Sequence, residues 1–303
     1  MLDAWGDHPA VKQTLAEASD ALGEDLGKLI HHGPKEVLAL TTNTQPVMLV
    51  ACVAAWRAWL AEGGTVPLVL AGHSLGEYSA LVAAGVLTLA QAAPLVRLRA
   101  AAMQRAVPVG TGAMAAILGM TSADVVAACA DVTAGFGAGS GEVVEAANFN
   151  DPMQTVISGS KAAVDRACEL LKANGAKRTL LLAVSAPFHS SLMRPAAEAL
   201  RDKLASLTLL TPQIPVLNNI DVAIETDVER IRDALVRQVA GPVRWVECVE
   251  ALAGFGPIRI EAVVECGPGK VLTGMVKRIT PDLLAASVYD PVSLADARQQ
   301  LAS

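Results

Sequence analysis

VPLVLAGHSLGEYSALVAA, residues 66–84, joins an apolar strand (66–71), a tight turn and a helix rich in small residues. The turn GHSLG at positions 72–76 fits the Gly-x-Ser-x-Gly pattern of a nucleophile elbow, which holds its serine hydroxyl out from the end of a strand. The tight backbone is expected to leave no room for a Cβ atom on either flank, which accounts for Gly72 and Gly76. The helix that follows offers free N–H groups and a positive dipole end, and both stabilise a developing oxyanion. Ser74 is therefore predicted to be a nucleophile, with an ordinary strand-to-helix turn as the alternative.

Length, charge and cysteine content limit the classes of protein to which this chain can belong. Its 303 residues suffice for one large α/β domain or for two lobes with a substantial core. The net charge of −6 argues against a nucleic-acid-binding protein. The five cysteines are scattered and show no Cys-x-x-Cys spacing, which favours a reducing cytoplasm over a disulfide framework or a zinc site. The N-terminus has no signal-sequence pattern, so we expect a cytoplasmic protein.

One uncharged run, residues 78–96, is long enough to raise the question of a membrane span. Gly85 and Pro94 interrupt it, and Thr88 with Gln91 forms a capping-box pattern that begins a new helix. We therefore expect a pair of buried helices here and no membrane-spanning segment.

The middle of the chain, residues 113–185, has the pattern of a separate unit. Predicted strands and helices follow one another in the order β-α-β-β-α-β, which is that of the ferredoxin-like split βαβ arrangement. The sequence thus predicts an α/β fold with two lobes. Residues 1–112 and 186–303 would form a large hydrolase-like lobe with a parallel sheet and the nucleophile elbow, and the middle unit would be an inserted ferredoxin-like small lobe.

A serine nucleophile needs a general base, and the sequence offers five histidines. His73 adjoins the serine, but neighbouring side chains on a tight turn diverge, so it is expected to pack or hydrogen-bond behind the turn. Three others lie in polar segments near the N-terminus. His189, in the segment SAPFHSS between a strand end and a helix start, is the predicted base, with a structural histidine as the alternative. Since no acidic residue stands in a suitable loop between the serine and His189, a backbone carbonyl is expected to orient the imidazole.

Two arginines, Arg97 and Arg99, lie on the helix that begins after Thr88. They are about 200° apart around a helix, so one of them is expected to point inward. A buried guanidinium can bind a carboxylate through two parallel hydrogen bonds, which suggests an acyl substrate that carries its own carboxylate. An arginine bonded to core carbonyls, or one in a structural ion pair, is the alternative.

These motifs together resemble those of the malonyl-CoA:acyl-carrier-protein transacylases, the acyltransferases of type II fatty acid synthesis. The resemblance extends over nearly the whole chain and implies a two-lobed fold like the one predicted above. The segments that carry it are GHSLGEYSAL (72–81), Arg99 with Met103-Gln104, GAMAA (112–116), NFN (148–150), FHS (188–190), IRDALVRQ (231–238) and GPGKVL (267–272).

The resemblance also implies roles for individual residues. Ser74 would become malonylated, and His189 would act first as general base and then as general acid. Arg99 would hold the malonyl carboxylate, and the backbone N–H of Leu75 would be one oxyanion donor. The segment at Gln238 would supply the carbonyl that orients the histidine.

Three further side chains are implied at the substrate-binding site. Phe188 would stand where the family screens the substituent on the α-carbon, and its ring is suited to malonyl rather than methylmalonyl. Asn150 would line the cleft between the lobes, and Met103 would lie with Arg99 in the substrate-binding region.

The implied partners are malonyl-CoA and holo acyl carrier protein. No cofactor is expected, since the CoA thioester is itself a substrate, and the chain is expected to act as a monomer. Acyl carrier proteins are typically acidic, so a basic docking patch is expected despite the negative net charge. Its candidates are Lys161, Arg166, Lys177, Arg178, Arg194 and Lys270.

One departure from the family pattern affects the oxyanion site. The family begins with a strand and a Gly-Gln-Gly-x-Gln turn whose glutamine supplies a second oxyanion donor, whereas this sequence contains no Gly-Gln-Gly. Removing one such donor typically lowers the rate about 10²- to 10³-fold. We therefore expect the chain as given to be impaired and a version with the upstream segment to be active. A serine esterase or thioesterase, and a non-catalytic binder of CoA or carrier protein, are the alternative functions.

Overall fold

The computed structural model describes residues 1–184, 186–256 and 259–302. The α-helices are α1 (Pro9–Leu22), α2 (Leu26–His32), α3 (Lys35–Leu38), α4 (Thr41–Ala61), α5 (Gly76–Ala83), α6 (Leu89–Arg105), α7 (Ser122–Gly135), α8 (Lys161–Ala173), α9 (Arg194–Ala205), α10 (Val228–Ala240), α11 (Trp245–Ala253), α12 (Val271–Ile279) and α13 (Pro291–Ala302). The strands are β1 (Leu70–Ala71), β2 (Gly112–Leu118), β3 (Val144–Asp151), β4 (Gln154–Ser160), β5 (Arg178–Leu181), β6 (Val216–Leu217), β7 (Ala262–Cys266) and β8 (Leu284–Val288).

Among the described residues, the parallel strands form two short pairs. β1 pairs with β6, with Leu70 opposite Val216, and β7 pairs with β8, with Ala262 opposite Leu284. β1 is shorter than the strand expected over residues 66–71, because among the described residues only Leu70 and Ala71 have ladder partners, in β6. The parallel pairing places the carboxyl ends of β1 and β6 side by side. The elbow that follows β1 therefore lies next to the loop that follows β6.

The middle of the chain folds in the predicted β-α-β-β-α-β order, as β2, α7, β3, β4, α8 and β5. These strands form one antiparallel sheet in the order β3-β4-β2-β5. α7 and α8 bury an aliphatic core against the sheet, with Val125 and Leu171 from the helices and Ile117 and Ile157 from the strands. The bounds 113–185 of the small lobe stay a prediction.

Strand β3, at one edge of this sheet, joins it to the helices of the large lobe. The Phe149 N–H donates to the Val243 carbonyl over 2.9 Å, and the Val243 N–H donates to the Ala147 carbonyl over 2.8 Å. Arg278 of α12 forms a 2.8 Å salt bridge with Asp151, which is buried. These contacts hold the C-terminal end of β3 against the large lobe.

The uncharged run 78–96 is divided between two helices, as predicted. α5 begins at the elbow, and α6 begins after Thr88, whose hydroxyl accepts from the Gln91 N–H while the Gln91 side chain accepts from the Thr88 N–H. α4 and α6 pack against each other in the large hydrophobic core. Within the described ranges, no helix has the length and apolar character that crossing a bilayer requires.

Candidate active site

The elbow places Ser74 between the end of β1 and the start of α5. Ser74 has a φ of +51°, a left-handed conformation that is uncommon for a residue with a side chain. A Cβ atom at Gly72 would lie 2.0 Å from the Gly76 carbonyl oxygen, so glycine is required there. A Cβ atom at Gly76 would meet nothing within 4 Å, so the predicted steric requirement at that flank is wrong. The backbone of Gly76 thus excludes a side chain at Gly72, whereas a side chain at Gly76 would point into open space.

His189 lies within hydrogen-bonding distance of the serine. Its Nε2 is 2.7 Å from Ser74 Oγ, and its Nδ1 is 2.9 Å from the Gln238 carbonyl and 3.1 Å from the Gly241 carbonyl. Carbonyl oxygens only accept, so Nδ1 carries the proton and Nε2 presents its lone pair to the hydroxyl. Burial, followed by the charge of Arg99, lowers the pKa of His189 to about 3, so the imidazole is neutral. A neutral imidazole in this tautomer can accept the serine proton without a carboxylate partner.

Arg99 of α6 is an inward-pointing arginine with 2% of its surface exposed. Its guanidinium donates to the side-chain oxygens of Gln45 (2.8 Å) and Gln238 (3.2 Å) and to Ser74 Oγ (3.2 Å). Within the described part of the chain no carboxylate forms a salt bridge with it, and burial lowers the pKa of the guanidinium. A buried cation is costly without an anion beside it. The site next to the serine is therefore suited to an anionic group.

Arg97, two positions earlier on the same helix, has a different environment. Both of its terminal nitrogens donate to the Glu24 carboxylate, over 2.9 and 2.7 Å, and its side chain is partly exposed. The prediction that one of the two arginines points inward is confirmed, and the inward one is Arg99.

Leu75 is the N-cap residue of α5, so its N–H is one of the groups at a helix N-terminus that have no partner within the helix. None of the hydrogen bonds between described residues uses this N–H. The helix dipole adds partial positive charge at the same position. This N–H can therefore donate to an oxyanion formed at Ser74.

Asn150 and Met103 are both buried at the site. Asn150 Oδ1 lies 2.8 Å from His73 Nε2, and the His73 ring packs edge-on against Trp245. Met103 is 1% exposed, and its sulfur lies 3.8 Å from the side-chain nitrogen of Gln45. Asn150 thus supports the elbow histidine, and Met103 supports a partner of Arg99. Direct contact of either residue with substrate stays a prediction.

Phe188 precedes the histidine and is half-buried. It packs against the large hydrophobic core and also against a small cluster that includes Met114 of β2, Ala147 of β3 and Val156 of β4. Its ring therefore lies where the small-lobe sheet meets the large lobe, and its screening role stays a prediction.

Three polar residues of the site were missed by the sequence analysis: Gln45, Glu77 and Asn219. Gln45 lies 54 positions from Arg99, and only the tertiary contact reveals it. Asn219 is fully buried, and its N–H donates to Glu77 Oε2 over 2.9 Å. The signal for Asn219 was its position just after β6, at the edge where the carboxyl ends of parallel strands meet.

Glu77 should make the stability of the protein depend on pH. Burial raises the pKa of this carboxyl to about 7 from its usual 4.5, although bonds from Asn219 and Gln238 and the charge of Arg99 oppose the shift. The native state thus binds the proton more tightly than the unfolded state, so the free energy of unfolding falls as the pH rises between these two values. We expect this fall to be absent in Glu77→Gln, whose side chain stays neutral. The free energy of unfolding of the variant, relative to that of wild type, should therefore rise by roughly 2–3 kcal/mol from about pH 5 to about pH 8.

Urea unfolding of both proteins across this pH range measures the difference. Asp221 and Cys248, which also interact electrostatically with Glu77, are present in both proteins, so their own titration largely cancels. A stability difference that is constant across the range would contradict the prediction.

Comparison with known proteins places these features in a family. The family described as acyl transferase domain matches residues 5–290. The malonyl CoA-acyl carrier protein transacylase of Salmonella typhimurium (strain LT2) is 50% identical over 294 residues, which are 97% of this chain and 92% of that protein. A protein of the same name from Bacillus subtilis (strain 168) is 42% identical over 293 residues, 97% of this chain and 90% of that protein.

Solved structures agree with this assignment. The acyl-carrier-protein S-malonyltransferase of Burkholderia pseudomallei has a TM-score of 0.94 and 57% identity, covering 98% of this chain and 94% of that chain. A malonyl-transacylase in complex with a type II PKS acyl-carrier protein has a TM-score of 0.94 and 50% identity, covering 99% and 94%. The predicted α/β fold, a hydrolase-like large lobe with a small lobe, is confirmed. The chain therefore belongs to the acyl transferase family, as an acyltransferase related to the malonyl CoA-acyl carrier protein transacylases.

Proposed function

We propose that this chain transfers malonyl from malonyl-CoA to the phosphopantetheine thiol of acyl carrier protein, in fatty acid biosynthesis, through a malonyl-serine intermediate. The observation that carries the proposal is the buried guanidinium of Arg99, 3.2 Å from Ser74 Oγ. In a malonyl thioester one methylene separates the free carboxylate from the reacting carbonyl. A carboxylate bound to Arg99 therefore brings that carbonyl to the serine, and it forms the salt bridge that the guanidinium makes with no carboxylate of the described residues.

In the loading half-reaction, Ser74 Oγ attacks the thioester carbonyl while His189 Nε2 takes the hydroxyl proton. The Leu75 N–H donates to the oxyanion of the tetrahedral intermediate. Collapse of the intermediate breaks the C–S bond, and the imidazolium returns the proton to the departing CoA thiolate. The carbonyls of Gln238 and Gly241 accept from Nδ1 and stabilise the imidazolium while it exists.

In the transfer half-reaction, the phosphopantetheine thiol gives its proton to His189 and attacks the malonyl ester, and Ser74 leaves with the proton restored. The predicted docking candidates all have exposed side chains, which suits an acidic carrier protein; they are Lys161, Arg166, Lys177, Arg178, Arg194 and Lys270. A similar malonyl-transacylase has been solved with an acyl-carrier protein, and this supports a carrier protein as the acceptor.

The setting that we propose is the cytoplasm, where the enzyme would act as a monomer without a cofactor, a nucleic acid or a membrane. All five cysteines are free thiols, which suits a reducing compartment. The net charge of −6 suits a protein that does not bind nucleic acid.

Intact-mass measurement after brief incubation with malonyl-CoA tests the proposal. We expect wild type to gain one malonyl group and Ser74→Ala to gain none, because the hydroxyl is the acceptor. Acetyl-CoA should give little adduct, since its methyl group leaves Arg99 without an anion. Holo acyl carrier protein, added next, should take the malonyl group from the serine.

The other outcomes have defined meanings. Release of the acyl group to water rather than to the carrier protein would favour the esterase or thioesterase alternative. Binding of CoA without an adduct would favour the non-catalytic alternative.

A further inference from the structure

The side chain of Asn219 forms two hydrogen bonds with the backbone of the nucleophile elbow. Its Oδ1 accepts from the Ser74 N–H over 2.7 Å, and its Nδ2 donates to the Gly72 carbonyl over 2.8 Å. Asn219 is fully buried, so water does not compete for these two bonds. Ser74 has a positive φ, and a residue held in that region persists only where the surroundings fix it. The carboxamide of Asn219 provides that restraint on the N-terminal side of the strained residue.

The side chain of Gln238 fixes the other half of the elbow. Its Nε2 donates to the Ser74 carbonyl over 3.1 Å, and its Oε1 accepts from Arg99 over 3.2 Å. The Ser74 carbonyl and the Leu75 N–H belong to one planar peptide group and point in opposite directions. A bond that holds the carbonyl therefore also sets the direction of the N–H that faces the oxyanion.

One carboxylate oxygen connects the two restraints. Glu77 Oε2 accepts from the Asn219 N–H over 2.9 Å and from Gln238 Nε2 over 2.8 Å. Glu77 is 2% exposed and lies on the first turn of α5, three positions after the serine. It reaches neither Ser74 Oγ nor His189 in the hydrogen-bond network of the described residues, so its effect on the chemistry is indirect.

We propose that Glu77 and Asn219 are positioning residues for acyl transfer: Asn219 holds the Ser74 backbone, and Glu77 holds Asn219 and Gln238, so that the nucleophile and the Leu75 N–H are aligned before substrate binds. The inference deepens the proposed function and rests on it for the identity of the acyl group. A misalignment on the order of 1 Å at a reacting group lowers rates about 10²-fold, which sets the size of the expected effect.

Single-turnover loading of Ser74 with malonyl-CoA tests the inference, because its rate constant does not depend on the fraction of protein that is folded. We expect Asn219→Ala and Glu77→Ala to lower this rate constant about 10- to 100-fold, with the concentration of malonyl-CoA at half-saturation changed less than about twofold. Glu77→Gln should stay within about threefold of wild type, since one amide oxygen can accept both bonds.

Glu225→Ala is the matched control. Glu225 lines the same small cavity as Glu77, but its carboxylate pairs with Arg230, and no hydrogen bond among the described residues joins it to Asn219 or Gln238. We expect this variant to load at the wild-type rate. Equal loss in Glu77→Gln and Glu77→Ala would overturn the proposal, as would wild-type rate constants in Asn219→Ala and Glu77→Ala.

A fluorophosphonate probe separates this inference from the proposed function. The probe phosphonylates an activated serine whatever acyl group the enzyme prefers, so its reaction with Ser74 reports alignment alone. If wild type reacts with the probe but not with malonyl-CoA, the proposed function fails, and the same variant series is then measured with the probe. Probe rates that follow the order wild type, Glu77→Gln, Glu77→Ala support the inference. A flat series overturns it.

Discussion

Replacing His189 by alanine should lower the rate constant for malonyl loading of Ser74 by about 10²- to 10⁴-fold, the usual contribution of a positioned general base. Nε2 lies 2.7 Å from Ser74 Oγ and, with Nδ1 bonded to two carbonyls, is free to take the proton. His73 is not placed to replace it, because its Nε2 lies 2.8 Å from Asn150 Oδ1 and no hydrogen bond among the described residues joins its ring to Ser74 Oγ. Rapid-quench intact mass with malonyl-CoA gives the rate constant directly.

The exposed His32 offers a matched control, and His32→Ala should load at the wild-type rate. Retention of the wild-type rate constant in His189→Ala would contradict the assignment of the base. The pH profile adds a second check. Because the pKa of His189 is lowered to about 3, the base stays neutral as the pH falls from about 8 to about 5, and loading should show no histidine-like decline near pH 6.5. A decline there that disappears in His189→Ala would contradict the low pKa.

Local patterns explain why most of the fold was predictable. The strand, turn and helix around Ser74 are contiguous in sequence, and so are the capping box at Thr88 and the β-α-β-β-α-β order of residues 113–185. Each of these features depends on residues within one turn of each other or on the periodic spacing of apolar side chains. Both kinds of pattern are visible in the sequence itself. His189 was found by elimination among few histidines rather than by geometry.

The polar side chains that hydrogen-bond around the elbow and Arg99 could not be predicted in this way. Gln45, Glu77 and Asn219 lie on α4, on α5 and after β6. The bond from Arg99 to Gln45 and the bond from Asn219 to Glu77 exist only once these elements have packed together. The error at Gly76 has a similar origin, since the direction of its missing side chain depends on the path of the elbow backbone. Sequence spacing gives residue types at a site, whereas the orientation of each polar group is a tertiary property.

Arg99→Ala should lower kcat/KM for malonyl-CoA by about 10² or more, since hydrogen bonds between charged groups contribute about 1.5–3 kcal/mol each and a guanidinium offers a carboxylate two of them. The same change should affect acetyl-CoA much less, because acetyl has no carboxylate to bind. The ratio of malonyl to acetyl loading is therefore the informative quantity. It separates loss of carboxylate binding from the general disturbance caused by removing the partner of Gln45, Gln238 and Ser74 Oγ.

Two further variants make the interpretation specific. Arg97→Ala removes an arginine from the same helix that is paired with Glu24 rather than with the site, and we expect its malonyl-to-acetyl ratio to match wild type. Arg99→Lys keeps the charge but loses the planar two-donor fork, so it should recover only part of the malonyl preference. Removal of the Arg99 charge should also raise the pKa of His189, because that charge disfavours the imidazolium. Burial, the larger cause, still keeps the pKa of His189 below its usual value. An unchanged malonyl-to-acetyl ratio in Arg99→Ala would contradict carboxylate binding by this guanidinium. Arg99 would then have only a structural role, as a hydrogen-bond donor to Ser74, Gln45 and Gln238.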